Sequence, residues 1–365
     1  KMAKKPFIPP LLPPRINYES LIREIGEAHD AIGRLNGLFI GIPNPGLLIT
    51  PLLTKEAVLS SRIEGTQATL EDVFKYEAEA KISEESDREK DIREIINYRR
   101  AMHTAMEELK NRPISENLIK KIHYVLLNSV RGSSKDRGNL RRIQVYVGLP
   151  GSPIEQASYI PPSVNELPSL LSNWERYINS DKEKDPLVQI GVGHYQFEAI
   201  HPFMDGNGRI GRLLIPLFLY QRELLTYPSL YISEFFEEKR KMYYDLLNNV
   251  SKKGEWEDWL KFFLMALTLQ ATKTQATIYK IKVLYEKSKR EITQINARYA
   301  INLLDMIFNT PIVSFVSIKN RLEAKSPQTI YNLLDKFVKA GILKEIPGKK
   351  RNRIYVFQQL LEILR

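Results

Sequence analysis

Apolar residues recur at intervals of three and four over residues 16–38 and again over 70–109, with charged residues between them, which is the pattern of amphipathic helices. Residues 50–65 read as a shorter helix between them. Thr50 can cap its first amides, Pro51 suits the first helical position, and Gly65 supplies a stop. Ser115 opens a further helix that runs to 127, and residues 131–142, rich in Gly, Ser and charge, form a loop. The period then changes. Ile143-Gln144-Val145-Tyr146-Val147 alternates with β-branched and aromatic residues, and Ala157-Ser158-Tyr159-Ile160 can pair with it as a hairpin ended by Pro161-Pro162. Helical patterns resume at 163–178 and continue through 259–269, so the middle of the chain is helical with one small strand pair.

The ends differ from this middle. Pro6, Pro9, Pro10, Pro13 and Pro14 favour an extended arm laid along a surface. Residues 271–296 are polar, basic and helix-compatible, a connecting helix or linker. Beyond them, 300–308, 318–323 and 327–340 read as three short helices, and 342–346 and 354–357 as a closing hairpin. That order resembles a winged helix-turn-helix unit with 327–340 in the recognition position. The expected division is an N-terminal helical region over 1–110, a catalytic core over 111–270, a linker over 271–295 and the winged unit over 296–365.

Composition narrows the class. With 43% hydrophobic and 27% charged residues over 365 positions, the chain is expected to be globular and soluble, and its apolar runs are too short for a membrane span. The absence of cysteine excludes disulfide and thiolate chemistry and fits a cytoplasmic protein. The net charge of +11 is uneven: residues 311–365 hold eleven Lys/Arg against four Asp/Glu. Lys349-Lys350-Arg351-Asn352-Arg353 falls in the expected wing, where cations could meet nucleic-acid phosphates, although many winged domains bind only protein.

The densest chemistry lies in His201-Pro202-Phe203-Met204-Asp205-Gly206-Asn207-Gly208-Arg209-Ile210-Gly211-Arg212, which leads into the apolar run 213–220. Gly206 and Gly208 let successive amides turn inward at a helix N-terminus, a site suited to phosphate. Arg209 and Arg212, three apart, can hold two phosphates, or one phosphate and a carboxylate. Asn207 can donate to a phosphate oxygen, and Asp205 beside such a site implies a bridging Mg²⁺. His201 is the group able to take a proton from a hydroxyl near neutral pH. Singly, each has a plainer reading as a structural histidine, a turn or a solvated face; their coincidence at one helix start favours function. Phe203 and Ile210 read as core anchors, and no Gly-Lys-Ser/Thr follows, so the run is not a P-loop.

These residues resemble the core motif of the Fic family, His-Pro-Phe-x-Asp/Glu-Gly-Asn-Gly-Arg-x-x-Arg, at every fixed position. The resemblance implies a mainly α Fic-type helical bundle with a small β-hairpin flap and a C-terminal winged helix-turn-helix domain. It also implies transfer of AMP from ATP to a Ser, Thr or Tyr hydroxyl of a protein, the chain itself included. His201 would be the base, Asp205 would position Mg²⁺, and Gly206 to Arg212 would bind phosphates. Ser60-Ser61-Arg62-Ile63-Glu64-Gly65 is similar to the family's inhibitory pattern, Ser/Thr-x-x-x-Glu-Gly/Asn, by which Glu64 would pair with Arg212 in place of the γ-phosphate. Val145, Tyr146, Val147 and Gly148 fall where the family's flap pairs with the target backbone. Tyr243 and Tyr244 match positions bordering adenine, and a homodimer is in keeping with the family. Related sites can also transfer phosphate or phosphocholine, or remove AMP. The competing readings are a winged-helix DNA-binding regulator whose nucleotide site only senses, and a protein-binding scaffold using the arm and flap.

Overall fold

A computed structural model describes residues 5–40, 42, 44–79, 86–128, 136–148, 153–294, 297–322, 326–346 and 353–365. The first helices are α1 (Ile22–Gly37), α2 (Gly46–Ile63), α3 (Leu70–Glu79), α4 (Asp87–Leu109) and α5 (Glu116–Leu126). Two of them depart from the sequence pattern. α2 begins a turn earlier than Thr50 and carries Pro51 inside it, because burial of Leu47 and Leu48 extends the helix through a site where proline removes one backbone hydrogen bond. The long stretch expected over 70–109 is two helices, and the Ser86 side chain starts the second by accepting from the Glu89 amide. Ser115 caps α5 as its position suggests, accepting from the Leu118 amide at 3.3 Å.

The centre of the molecule is α6 (Leu167–Ile178), α7 (Pro186–Ile200) and α8 (Asn207–Gln221). α7 is apolar on nearly every side and buried along its length, as such a helix must be. Asp185 starts it by accepting from the Leu187 and Val188 amides. Trp174 and Trp259 pack on it and donate their indole N–H groups to the carbonyls of Gly193 and Gly191, each at 2.9 Å. Their bulk is thereby buried without an orphaned donor.

α9 (Ser233–Glu238) and α10 (Arg240–Lys253) lead into α11 (Trp256–Thr293), which runs 38 residues without a break. The basic stretch after 271 continues this helix, which packs along α1, and Ile278, Ile281, Leu284 and Ile292 on it are buried. The C-terminal unit follows as α12 (Ala300–Asn309), β1 (Ile312–Ser314), α13 (Phe315–Lys319), α14 (Pro327–Lys339), β2 (Lys344–Glu345), β3 (Ile354–Val356) and α15 (Gln358–Leu364). Its three strands form an antiparallel sheet in the order β1-β3-β2. β1 has no counterpart in the sequence reading, because a three-residue strand is too short to display alternation. α13 starts earlier than expected, at a capping box in which Ser314 and Ser317 satisfy each other's amides. Of the basic wing, Lys349 to Asn352 lie outside the described residues, and Arg353 pairs with Glu345. Among the described residues no helix is long and apolar enough to cross a membrane.

Candidate active site

α7 ends, and α8 begins, at the His201–Arg212 loop. His201 closes α7 in the left-handed region, φ 50° and ψ 61°, where a residue other than glycine is strained and the helix cannot continue. The conformation is held from outside. Arg141, 1% exposed, donates from Nε to the His201 carbonyl at 2.9 Å and from Nη2 to that of Pro162 at 2.5 Å, and its own amide donates to the Pro202 carbonyl. The His201 ring lies with Nδ1 3.4 Å from the Glu198 carbonyl. A carbonyl only accepts, so Nδ1 carries the proton and Nε2 is left as a free acceptor. Burial pushes the ring's pKa down to about 4, which keeps it neutral at physiological pH.

The loop that follows is braced by its own side chains. Asn207 Oδ1 accepts from the Phe203 amide and Asn207 Nδ2 donates to the Phe203 carbonyl, both at 2.9 Å. With Oδ1 and one N–H of its amide engaged in this way, Asn207 braces the loop. Phe203 is fully buried and stacks on His123 at 3.9 Å between ring centroids. His123 accepts from the Gly138 amide at Nδ1, so its Nε2–H donates to the Asp205 carbonyl at 3.1 Å. Burial pushes His123 down to about 4. Gly206 takes φ 78° as N-cap of α8 with no side chain capping the first amides, and Gly208 in that first turn lines the cavity described below.

The two arginines of the motif do different things. Arg209 is 4% exposed in its side chain and donates to Glu94 Oε2 at 3.0 Å, with Asp205 Oδ1 at 3.4 Å. It therefore serves carboxylates on α4 and on its own loop, not the cavity. Arg212, 1% exposed in its side chain, faces α2: Nε donates to Ser60 Oγ, and Nη2 to the Ser60 carbonyl and to Glu64 Oε1, at 2.9, 2.9 and 2.7 Å. Burial works to raise the Glu64 carboxyl, but the charge and hydrogen bond of Arg212 hold it below its ordinary value. Glu64 also lies over the start of α8, since a Cβ added at Gly208 would sit 2.3 Å from its Oε1. Only glycine leaves room there for an anion.

These groups line a cavity of about 660 Å³ that holds Glu64, His201, Gly208, Arg212, Tyr243 and Tyr244 on its walls. Tyr243 is buried with its hydroxyl against His194 Nε2 at 2.9 Å, and Tyr244 presents its more exposed ring. Val147 and Gly148 reach the cavity rim, whereas Val145 and Tyr146 do not. Among the described residues the expected hairpin is a single antiparallel bridge, Val147 with Tyr159. Pro161 and Pro162, which have no N–H, prevent the ladder from continuing toward Val145. Ile210 is core, and Gly211 contributes its carbonyl to His194 Nδ1.

Several residues of this site carry no local sequence signal. Arg141, His123 and Glu94 act across 60, 82 and 115 positions, where no local spacing announces them. Glu198 could have been found, since it lies one turn before His201 on the same helix. Its Oε1 is buried without a hydrogen-bond partner, and burial pushes its carboxyl up to about 8.

The Fic/DOC family N-terminal model matches residues 22–107 and the Fic/DOC family model matches residues 113–219, together more than half of the 365 positions. The chain is similar to the protein adenylyltransferase Fic of Culex quinquefasciatus, with 34% identity over 127 residues, 34% of this chain and 22% of that protein. It is 33% identical to the one from Drosophila melanogaster over 127 residues, 34% of this chain and 23% of that protein. The match thus spans under a quarter of the length of either relative. In fold, the chain is similar to a Fic family protein from Desulfovibrio desulfuricans G20, with a TM-score of 0.60 at 20% identity over 95% of this chain and 98% of that one. A likeness to Fic-1 from C. elegans has a TM-score of 0.53 at 18% identity and covers 73% and 74% of the two chains.

Proposed function

The chain belongs to the Fic/DOC family, and from that membership we propose that it is a protein adenylyltransferase restrained by its own Glu64. The observation that carries the reading is the placement of a neutral imidazole, a glycine-lined helix start and a buried arginine around one cavity. The triphosphate of ATP would lie on the first amides of α8, with Arg212 donating to its outer phosphates. His201 Nε2 would then take the proton of a target hydroxyl as its oxygen bonds to the α-phosphorus. The bond from that phosphorus to the bridging oxygen breaks, and pyrophosphate leaves. Tyr244, with Tyr243 behind it, would border the adenine, and Val147 and Gly148 would pair with the target's backbone.

Among the described residues no group of three or more His, Cys, Asp or Glu could hold a metal unaided. Magnesium is ordinarily held by one or two carboxylates together with substrate phosphates, and Asp205, partly exposed at the loop, would be that protein ligand. Bound there, the ion would offset phosphate charge.

Restraint follows from competition. The Glu64 carboxylate already occupies Arg212 and overlies Gly208, so an outer phosphate must displace it before the productive pose is reached. ATP labelled at the α- or at the γ-phosphate tests the reading. Glu64→Gly should label protein from α-labelled ATP alone, and His201→Ala in that background should lower the rate by about 10²–10⁴-fold. Label arriving from the γ-phosphate, or a rate indifferent to His201, contradicts it.

A further inference from the structure

A second cavity, of about 430 Å³, lies where α2, α3 and α4 meet the C-terminal unit, and it shares no lining residue with the first. Its walls are cationic. Arg99, Arg100 and His103 come from α4, and Arg321 comes from the opposite side, just after α13. Glu77 is the acidic residue among the lining, and it is engaged by Arg99, which also donates to Thr54 of α2 at 3.0 Å. Arg321 is steadied by donating to Thr310 Oγ1 at 3.1 Å. The charges of Arg100 and Arg321 are thus not offset by any acid of the lining. Burial and the neighbouring Arg99 push the His103 ring below its ordinary pKa, as expected in a positive field.

Like charges converging from two walls repel, modestly where solvent screens them, and an anion joining them relieves the repulsion. Guanidinium forks match phosphate oxygens, and one phosphate can bridge several forks where a monocarboxylate serves one. Leu53, Ile96 and Met306 give the same cavity an apolar face, and its volume lies within the roughly 300–1,000 Å³ of small-molecule sites. A cationic rim beside an apolar wall fits a phosphate ester with a flat ring. Thr50 and Leu53 of the wall belong to α2. A ligand there would touch α2 directly while bridging α4 and the C-terminal unit.

We propose that this cleft binds a nucleoside monophosphate-sized phosphate ester, separately from the first cavity, and that the ligand clamps α2 against α4 and the C-terminal unit. The test uses the full chain, with AMP as probe and inorganic phosphate and adenosine as controls. Equilibrium dialysis should find one more AMP per chain in the wild type than in Arg100→Glu/Arg321→Glu. Both residues are exposed, and Arg100→Gln/Arg321→Gln serves should charge reversal perturb folding. AMP at this site should bind at least about tenfold more tightly than to either variant, and more tightly than phosphate or adenosine. Hydrogen exchange should slow across α2 with AMP in the wild type but not in the variants. Equal AMP stoichiometry in wild type and variants, phosphate binding as tightly as AMP, or unchanged α2 exchange on binding would overturn the proposal. None of these readouts depends on catalysis, so failure here is distinct from failure of the transferase reading.

Discussion

His201 and Glu198, one turn apart on α7, are two titratable groups that burial moves in opposite senses. His201, with an ordinary value of 6.5, is pushed down to about 4. Between those values the unfolded chain takes a proton that the folded one refuses, so His201 removes stability as pH falls. Glu198 moves from 4.5 up to about 8, so across that window the folded chain keeps a proton that the unfolded one releases, and stability falls as pH rises. Thermal melts across pH 5 to 8 should therefore decline less steeply for Glu198→Gln than for the wild type; an unchanged slope contradicts the assignment. Arg209 gives a second check at this scale. Removing one partner of its buried pair with Glu94 should cost about 3–5 kcal/mol in denaturant unfolding. A phosphate-binding arginine at the cavity would instead weaken ATP binding with little loss of stability. The motif's residue types were legible in the sequence, but the division of labour between Arg209 and Arg212 was not. It depends on which distant helix each guanidinium faces, and that is set by packing.

At the scale of elements, local caps were readable where a side chain and its amide are three residues apart, as at Ser115. They were less so where burial competed with punctuation. Pro51 reads as a helix start, yet the apolar turn before it is buried, and α2 begins at Gly46. The hairpin shows the converse: alternation at 143–147 exists, but among the described residues the proline-bearing partner segment supports one bridge. Ser314 tests how far such caps matter here. Its Oγ accepts from the Ser317 amide and donates to the Ala78 carbonyl at 2.6 Å, tying α13 to α3. Ser314→Ala should lower stability by about 0.5–2 kcal/mol in denaturant titration, and a neutral result would remove the contact from the account.

Over the whole molecule, helix α2 has two jobs. Glu56 on it is buried, accepts from Ser233 and Tyr98, and is pushed up to about 7 by burial, while Glu64 at its end reaches the cavity. α2 is also packed by α4, α9 and α12, so the C-terminal unit bears on the same helix that carries Glu64. That junction is not legible in the sequence, because composition changes mark boundaries along the chain but carry no sign of contacts between its first and last quarters. The central claim is that the cavity transfers AMP once Glu64 is withdrawn, with His201 as base. Intact-mass spectrometry of Glu64→Gly after incubation with ATP and magnesium measures this most directly. Added adenylyl masses are expected on Glu64→Gly and absent from Glu64→Gly/His201→Ala. An unmodified Glu64→Gly chain that fails equally to label any protein partner, or equal modification without His201, would contradict it.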